Sequence, residues 1–247
     1  MRERKDILML AAVSIPVMTS FLNGQDLPLL LAALLSAVAL DRNGRGLAGG
    51  LCLALCAIKP HLFVFVPVAL IAGRRSRMML GASAGVCSLF ALAAAFQGWG
   101  WLANYIDLLR VPDLHPMPFP LPNLRGLSTA LPAGQPILEF GGVLVVSAWF
   151  SYSALRSTTG QFEHLLALAI AAGLLVSHHL GVHDCTMLLA VAALAAVKSW
   201  PYKVAVVLAA PVSYFLALLA PPISVIPALA LAGGLFAGRP RTDMNPR

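Results

Sequence analysis

The densest titratable group in the chain is Ser177-His178-His179-Leu180-Gly181-Val182-His183-Asp184-Cys185. Its three histidines and one aspartate fit several chemistries. His183 and Asp184 can act as a general base with an orienting partner, or as contacts to sugar hydroxyls. The histidines together suggest a metal site, but their spacing is not that of HExxH or another common helical ligand set. A hydrated turn whose imidazoles cap helix ends is the structural alternative. No metal and no cofactor is expected.

Ile58-Lys59-Pro60-His61 places a lysine in an otherwise apolar stretch. A lysine at mid-bilayer costs roughly 2.5–3.5 kcal/mol on the insertion scale. Snorkelling to the headgroups would remove most of that cost. A lipid-linked phosphate or diphosphate is the other partner, because the ammonium is a compact point charge. Pro60 favours this second reading, since it breaks the helix and frees backbone groups for a ligand.

Asn23-Gly24-Gln25-Asp26 reads as a tight turn. Gln25 and Asp26 also offer the donors and acceptors that sugar hydroxyls need. In Pro122-Asn123-Leu124-Arg125-Gly126-Leu127-Ser128, Arg125 either holds an anionic lipid or phosphate or pairs with Asp107 or Asp113. Cys52 and Cys56 lie one helical turn apart, yet they and the other two cysteines sit in apolar runs and read as packing residues.

The elements that position these groups follow from composition. Of 247 residues, 59% are apolar and 11% charged, against about 25% charged in an average soluble domain. Mean hydropathy is +0.83. A soluble globular enzyme, a disordered chain and a nucleic-acid-binding module are excluded. The net charge of +7 comes from short basic clusters between apolar runs, the positive-inside pattern of membrane proteins. The runs are continuous rather than alternating, which excludes a β-barrel. The expected fold is an all-α polytopic transmembrane bundle.

About ten membrane segments are expected, at 7–22, 27–40, 47–58, 61–73, 78–97, 137–155, 162–176, 185–197, 204–219 and 223–238. Several fall short of the roughly 20 residues that a crossing needs. Residues 47–73 form either one long helix kinked at Pro60 or a hairpin of two short helices. Charge favours the hairpin, which keeps Arg74, Arg75 and Arg77 on the side of Arg42 and Arg45. Ten segments then leave 14 of the 17 basic residues inside, with only Lys59, Arg110 and Arg125 elsewhere. Residues 1–247 are thus expected to form a single domain in the plasma (inner) membrane, with both termini cytoplasmic. A Pro-rich extracytoplasmic loop is expected at 98–136, with Trp99, Trp101 and Tyr105 as interfacial anchors. The same threading puts Asp26, His61, Asp107, Asp113, His115, Glu139, His178, His179, His183 and Asp184 on the outer side. A titratable cluster there suits an active site or the mouth of an ion pathway.

Taken in order, these segments resemble glycosyltransferase family 87, the polyprenol-phosphate-mannose-dependent mannosyltransferases of the GT-C superfamily. The resemblance rests on the Gly24-Gln25 turn before a helix and the stretch from Ala48 to Lys59-Pro60. It continues through the basic Arg74-Arg75-Ser76-Arg77, Asn123-Leu124-Arg125-Gly126-Leu127, and His183-Asp184 opening a helix. It implies a GT-C-like bundle that transfers a sugar, mannose in this family, from a polyprenyl-phosphate donor to a lipid or glycan acceptor outside the membrane. The transfer would be inverting and metal-independent. Gln25, Lys59 and Arg125 would contact the donor phosphate. His183 and Asp184 would stand at the catalytic position, with Asp26, His61, Asn123 and His179 as sugar or acceptor contacts.

Two departures from the family pattern are visible. Leu27 stands where the family often has Asn, and the family's presumed catalytic Asp lies in a loop upstream of everything matched here. The chain is therefore expected to be the C-terminal part of such an enzyme, one that binds donor but transfers poorly. Two other classes stand beside this reading. One is a non-catalytic polyprenyl-phosphate-binding or assembly subunit. The other is a small transporter with Lys59 and the histidines on an ion path, although the paired broken helices typical of transporters are not evident.

Overall fold

Each of the ten apolar runs contributes helix to the computed structural model, which describes residues 5, 9–111, 121–129, 134–157, 159–195, 200–220, 223 and 225–237. Every regular element among these residues is helical. Helices α1 (Ile15–Leu22) and α2 (Leu27–Arg42) meet at a bend of 120°. Gly24 makes that corner possible with a φ of 61°, a left-handed conformation that costs glycine little.

Helix α3 (Gly46–Ala54) tightens into a 3-10 turn at Leu55–Ile58. At Lys59 the backbone leaves the helical region, which a following proline disfavours, with φ −123° and ψ 68°. A second 3-10 turn, Pro60–Leu62, leads to α4 (Val66–Ala72) and then the long α5 (Ser76–Gln97). Helices α3 and α5 run parallel with their backbones in contact. A Cβ added at Gly50 would lie 2.1 Å from the Met78 carbonyl oxygen, and one at Gly81 would lie 2.1 Å from that of Leu47. Further along, a Cβ at Gly85 would strike the Ala54 side chain. Small residues at such crossings are how apolar helices approach closely in membranes. Because α3 and α5 are parallel, residues 55–75 must return the chain to its starting end. A hairpin with two short limbs does this, whereas a single kinked helix does not.

The expected loop at 98–136 contains two helices, α6 (Trp101–Leu109) and α7 (Leu124–Ser128). In α6 the apolar residues Trp101, Leu102, Tyr105, Ile106 and Leu109 recur with helical period. The prolines downstream mask this short period in the sequence. Residues 112–120, with Asp113 and His115, lie outside the described residues, as do Arg2, Arg4, Lys198, Arg239, Arg241 and Arg247.

Helix α8 (Gln135–Leu155) precedes α9 (Phe162–Val176), the centre of the bundle. Leu165, Leu166, Leu168 and Ile170 are wholly buried on different sides of α9, as befits a helix apolar all round. It packs against α4, α8, α10 (Leu188–Leu194) and α12 (Ile226–Ala237). A 3-10 turn, Val182–Met187, opens α10, and α11 (Trp200–Leu219) follows.

Among the described residues, α5 and α8 are long and apolar enough to cross a membrane, and the bent α1–α2 pair makes a third candidate. The other apolar helices are shorter. The 15 residues of α9 reach about 22 Å, against a hydrocarbon core of about 30 Å. Helix length thus supports two or three spans, fewer than the ten expected.

The polar residues gather at the two ends of this bundle. At one end Arg42 pairs with Glu163, and Arg75 lies 3.3 Å from Asp41. The sugar-type and phosphate-type candidates lie at the other.

Candidate functional site

Lys59 is the hub of the second end. The chain break between the two 3-10 turns projects its ammonium toward three segments. Nζ donates to Asp184 Oδ1 at 2.9 Å and to Gln25 Oε1 at 3.4 Å. Asp26 Oδ1 lies 3.3 Å away, at ion-pair distance. Gln25 and Asp26 arrive from the α1–α2 corner, and Asp184 from the first turn of the helix that opens α10. The other Asp184 oxygen accepts the Gly181 backbone N–H at 2.7 Å, so both of its oxygens are engaged.

Burial separates the two carboxylates. The Asp184 side chain is 3% exposed and that of Asp26 is 30% exposed. Asp184 is thus a buried, hydrogen-bonded counter-ion, whereas Asp26 is partly exposed and its Oδ1, the oxygen facing Lys59, is buried with no hydrogen bond. With both acids ionised and Lys59 charged, the three groups carry one net negative charge.

His183 Nε2 lies 3.7 Å from Asp184 Oδ1, beyond hydrogen-bond length. The sequence pairs these residues as base and orienter, but in the structure Asp184 orients Lys59. The His183 backbone carbonyl is held instead by Ser20 Oγ at 3.2 Å, and Ser20 Oγ also meets Thr186 Oγ1 at 2.9 Å. These contacts tie α1 to the His-rich turn. Sequence reasoning passed over Ser20 and Thr186, because a hydroxyl within an apolar helix carries no distinctive signal.

A second group is built on α7. Asn123 is wholly buried; its Oδ1 caps α7 by accepting the Gly126 N–H at 2.9 Å, and its Nδ2 donates to the Ser177 carbonyl at 2.6 Å. Arg125 Nη1 donates to the His178 carbonyl at 2.9 Å. Asp107, one of the partners considered for Arg125, pairs with Arg110 at 3.1 Å instead. His178 Nδ1 is 2.8 Å from Glu139 Oε1. The rings of His178 and His179 meet edge to face at 5.1 Å, and those of His179 and His61 at 6.5 Å. A row of imidazoles therefore links the α7 group to the residue after Pro60. His61 Nε2 is buried and has no hydrogen-bond partner.

All nine candidate residues thus fall at one end. Gln25, Asp26, Lys59 and Asp184 touch directly, and His183 adjoins them. His61 and His179 belong to the imidazole row, while Asn123 and Arg125 hold the backbone of the turn at 177–178. Among the described residues no three His, Cys, Asp or Glu side chains converge as metal ligands. The four cysteines are free thiols.

The structure defines an all-helical membrane protein with a polar, charge-paired site at one end of its bundle. The model of glycosyltransferase family 87 matches residues 3–177, and the chain belongs to this family, which makes it a membrane glycosyltransferase by descent. The matched span contains Gln25, Asp26, Lys59, His61, Asn123 and Arg125; the turn bearing His183 and Asp184 follows it. Neither the curated proteins nor the solved structures contain a significant match to the chain.

Proposed function

We propose that the chain handles a polyprenyl-phosphate sugar, with mannose as the hexose, and passes the sugar to a lipid or glycan acceptor at the Lys59 end. In this reading that end faces the extracytoplasmic side of the plasma membrane, and both termini are cytoplasmic. The observation that carries it is the unequal pairing of Lys59. Asp184 is a buried, doubly bonded counter-ion, whereas Asp26 is partly exposed and replaceable. A donor phosphate takes the place of Asp26 on Nζ, and the released carboxylate stands beside the sugar hydroxyls with Gln25. Arg125 supplies a second cation from the neighbouring turn.

An apolar groove of about 320 Å³ supports this reading. It is walled by Ala57, Pro60, Phe63, Val64 and Leu70, and so includes the residue that follows Lys59 in the chain. Isoprenoid units fit such a wall. His183 and Asp184 then set binding geometry more than they move protons.

A non-catalytic lipid-carrier-binding subunit is the second reading. It is favoured by one observation: Asp184 is fully engaged and His183 lies beyond its hydrogen-bond reach, so this pair provides no oriented base.

The test is donor binding and mannose transfer by the purified full chain in lipid nanodiscs, with polyprenyl-phosphate-mannose as donor. Lys59→Gln paired with Asp184→Asn keeps the buried charge balanced and should abolish donor binding. His183→Ala should retain it. Undiminished binding by the paired variant overturns the donor site. Binding without transfer selects the second reading. Transfer that is lost in Asp26→Asn while binding persists makes Asp26 the base.

A further inference from the structure

The opposite end of the bundle is strongly basic. There Arg42, Arg45, Arg74, Arg75 and Arg77 face two acids, Asp41 and Glu163. Arg42 is paired with Glu163 and Arg75 with Asp41, and the Arg75 guanidinium also lies 4.9 Å over the Phe162 ring. Among the described residues the side chains of Arg45, Arg74 and Arg77 make no ion pair or hydrogen bond. Three guanidinium charges are left without compensation.

Two cavities meet at Arg74. The first, about 280 Å³, lies between the turn at Gly44–Gly46 and the start of α5; Arg74, Arg75 and Arg77 line it together with Asp41, whose carboxylate is taken by Arg75. The second is a largely apolar groove of about 630 Å³ between α4 and α8, walled by Val68, Ile71, Ala72, Ala154 and Leu155, with Ser151, Ser157 and Arg74 as its polar lining. The starts of α3 and α5 lie side by side at the first cavity, and neither has a side-chain cap. Their positive dipole ends add to the arginine field.

A basic cavity and an apolar groove sharing one arginine match the two halves of a phospholipid. A free phosphate would use only the first. We infer that this end binds an anionic phospholipid, with its phosphate at Arg74 and Arg77 and an acyl chain in the α4–α8 groove. The inference is independent of the donor site, which lies at the other end of the bundle.

The test is native mass spectrometry of the full chain in non-ionic detergent with equimolar phosphatidylglycerol and phosphatidylcholine. Wild type should retain phosphatidylglycerol about tenfold better, since each arginine near an anionic headgroup contributes about fivefold at most. Arg74→Gln with Arg77→Gln should bring the two lipids to parity, and the matching double lysine variant should keep most of the preference. Val68→Trp, which fills the groove and spares the arginines, should weaken retention of both lipids. Millimolar inorganic phosphate should leave the adducts in place. Equal retention by wild type, or an unchanged preference in the glutamine variant, overturns the proposal. Displacement by inorganic phosphate makes this a free-anion site, and an unaffected Val68→Trp removes the acyl chain from the groove; either result also overturns it.

Discussion

Lys59 Nζ and Asp184 Oδ1 are 2.9 Å apart although 125 residues separate them in the chain. The bond fastens the break between α3 and α4 to the turn that opens α10. It also holds a largely buried lysine against a carboxylate that is 3% exposed. Breaking a buried pair from one side is far costlier than removing both partners, because a lone charge is left without water or counter-ion.

Lys59→Met should therefore destabilise the protein by about 3–5 kcal/mol. Lys59→Met combined with Asp184→Asn should recover most of that loss, since an asparagine carbonyl can still accept the Gly181 N–H. Thermal unfolding of the two single variants and the double, followed by circular dichroism in detergent, closes the cycle. Additive effects would show that the two side chains are not coupled.

The backbone contact between α3 and α5 makes Gly50 and Gly81 intolerant of a side chain. Gly50→Ala and Gly81→Ala should each cost about 1–3 kcal/mol, the usual range for overpacking. Gly233 in α12 has no atom within 4 Å of an added Cβ. Gly233→Ala should be neutral, or stabilising by up to about 1 kcal/mol through helix propensity. The same unfolding measurement ranks the three.

Asn123 performs two tasks at once, capping α7 with its oxygen and holding the Ser177 carbonyl with its nitrogen. Asn123→Ala should cost about 2 kcal/mol, from a lost cap and a buried carbonyl left unpaired. Asn123→Asp keeps the cap but sets a carboxylate against that carbonyl, so it should be no better than alanine. If aspartate restores wild-type stability, the contact with Ser177 carries no weight.

Gly44 and Ser76 are exposed at the same end of the parallel α3–α5 pair. With the four native cysteines replaced, single cysteines at 44 and 76 should react alike with a membrane-impermeant thiol reagent, and only after lysis. A cysteine at 99, beyond the far end of α5, should react in intact cells. Opposite behaviour of 44 and 76 would contradict the return of the chain between them.

Much of this arrangement was legible in the sequence because it rests on local patterns. Continuous apolar runs specify helix, and the basic pairs at Arg42–Arg45 and Arg74–Arg77 mark one end of the bundle. Lys59 beside Pro60 drew attention by its cost in an apolar setting, and the structure shows how the cost is met. The identity of its counter-ion was not legible, because nothing local distinguishes Asp184 from Asp26 as a partner. Tertiary packing decides that one is buried and the other partly open. Arg125 shows the same limit. Its nearby acids were visible, but the backbone carbonyl of His178 presents no sequence signal. Helix α6 was hidden for a different reason: its period spans only nine residues before the prolines begin.

The burial of α9 bears on how the protein fits bilayers of different thickness. A helix enclosed by protein on every side has no hydrophobic length to match to the lipid. Mismatch is felt by the lipid-facing helices and answered by tilt or local bilayer deformation. Here that burden falls first on α5 and α8, the two unbent helices among the described residues that are long and apolar enough to span, both with largely exposed flanks. A thinner or thicker membrane should tilt these two while the α9 core keeps its geometry. Because α9 packs against α4 and α5 packs against α3, the Lys59 break between α3 and α4 stands where the fixed core meets a helix that answers to bilayer thickness.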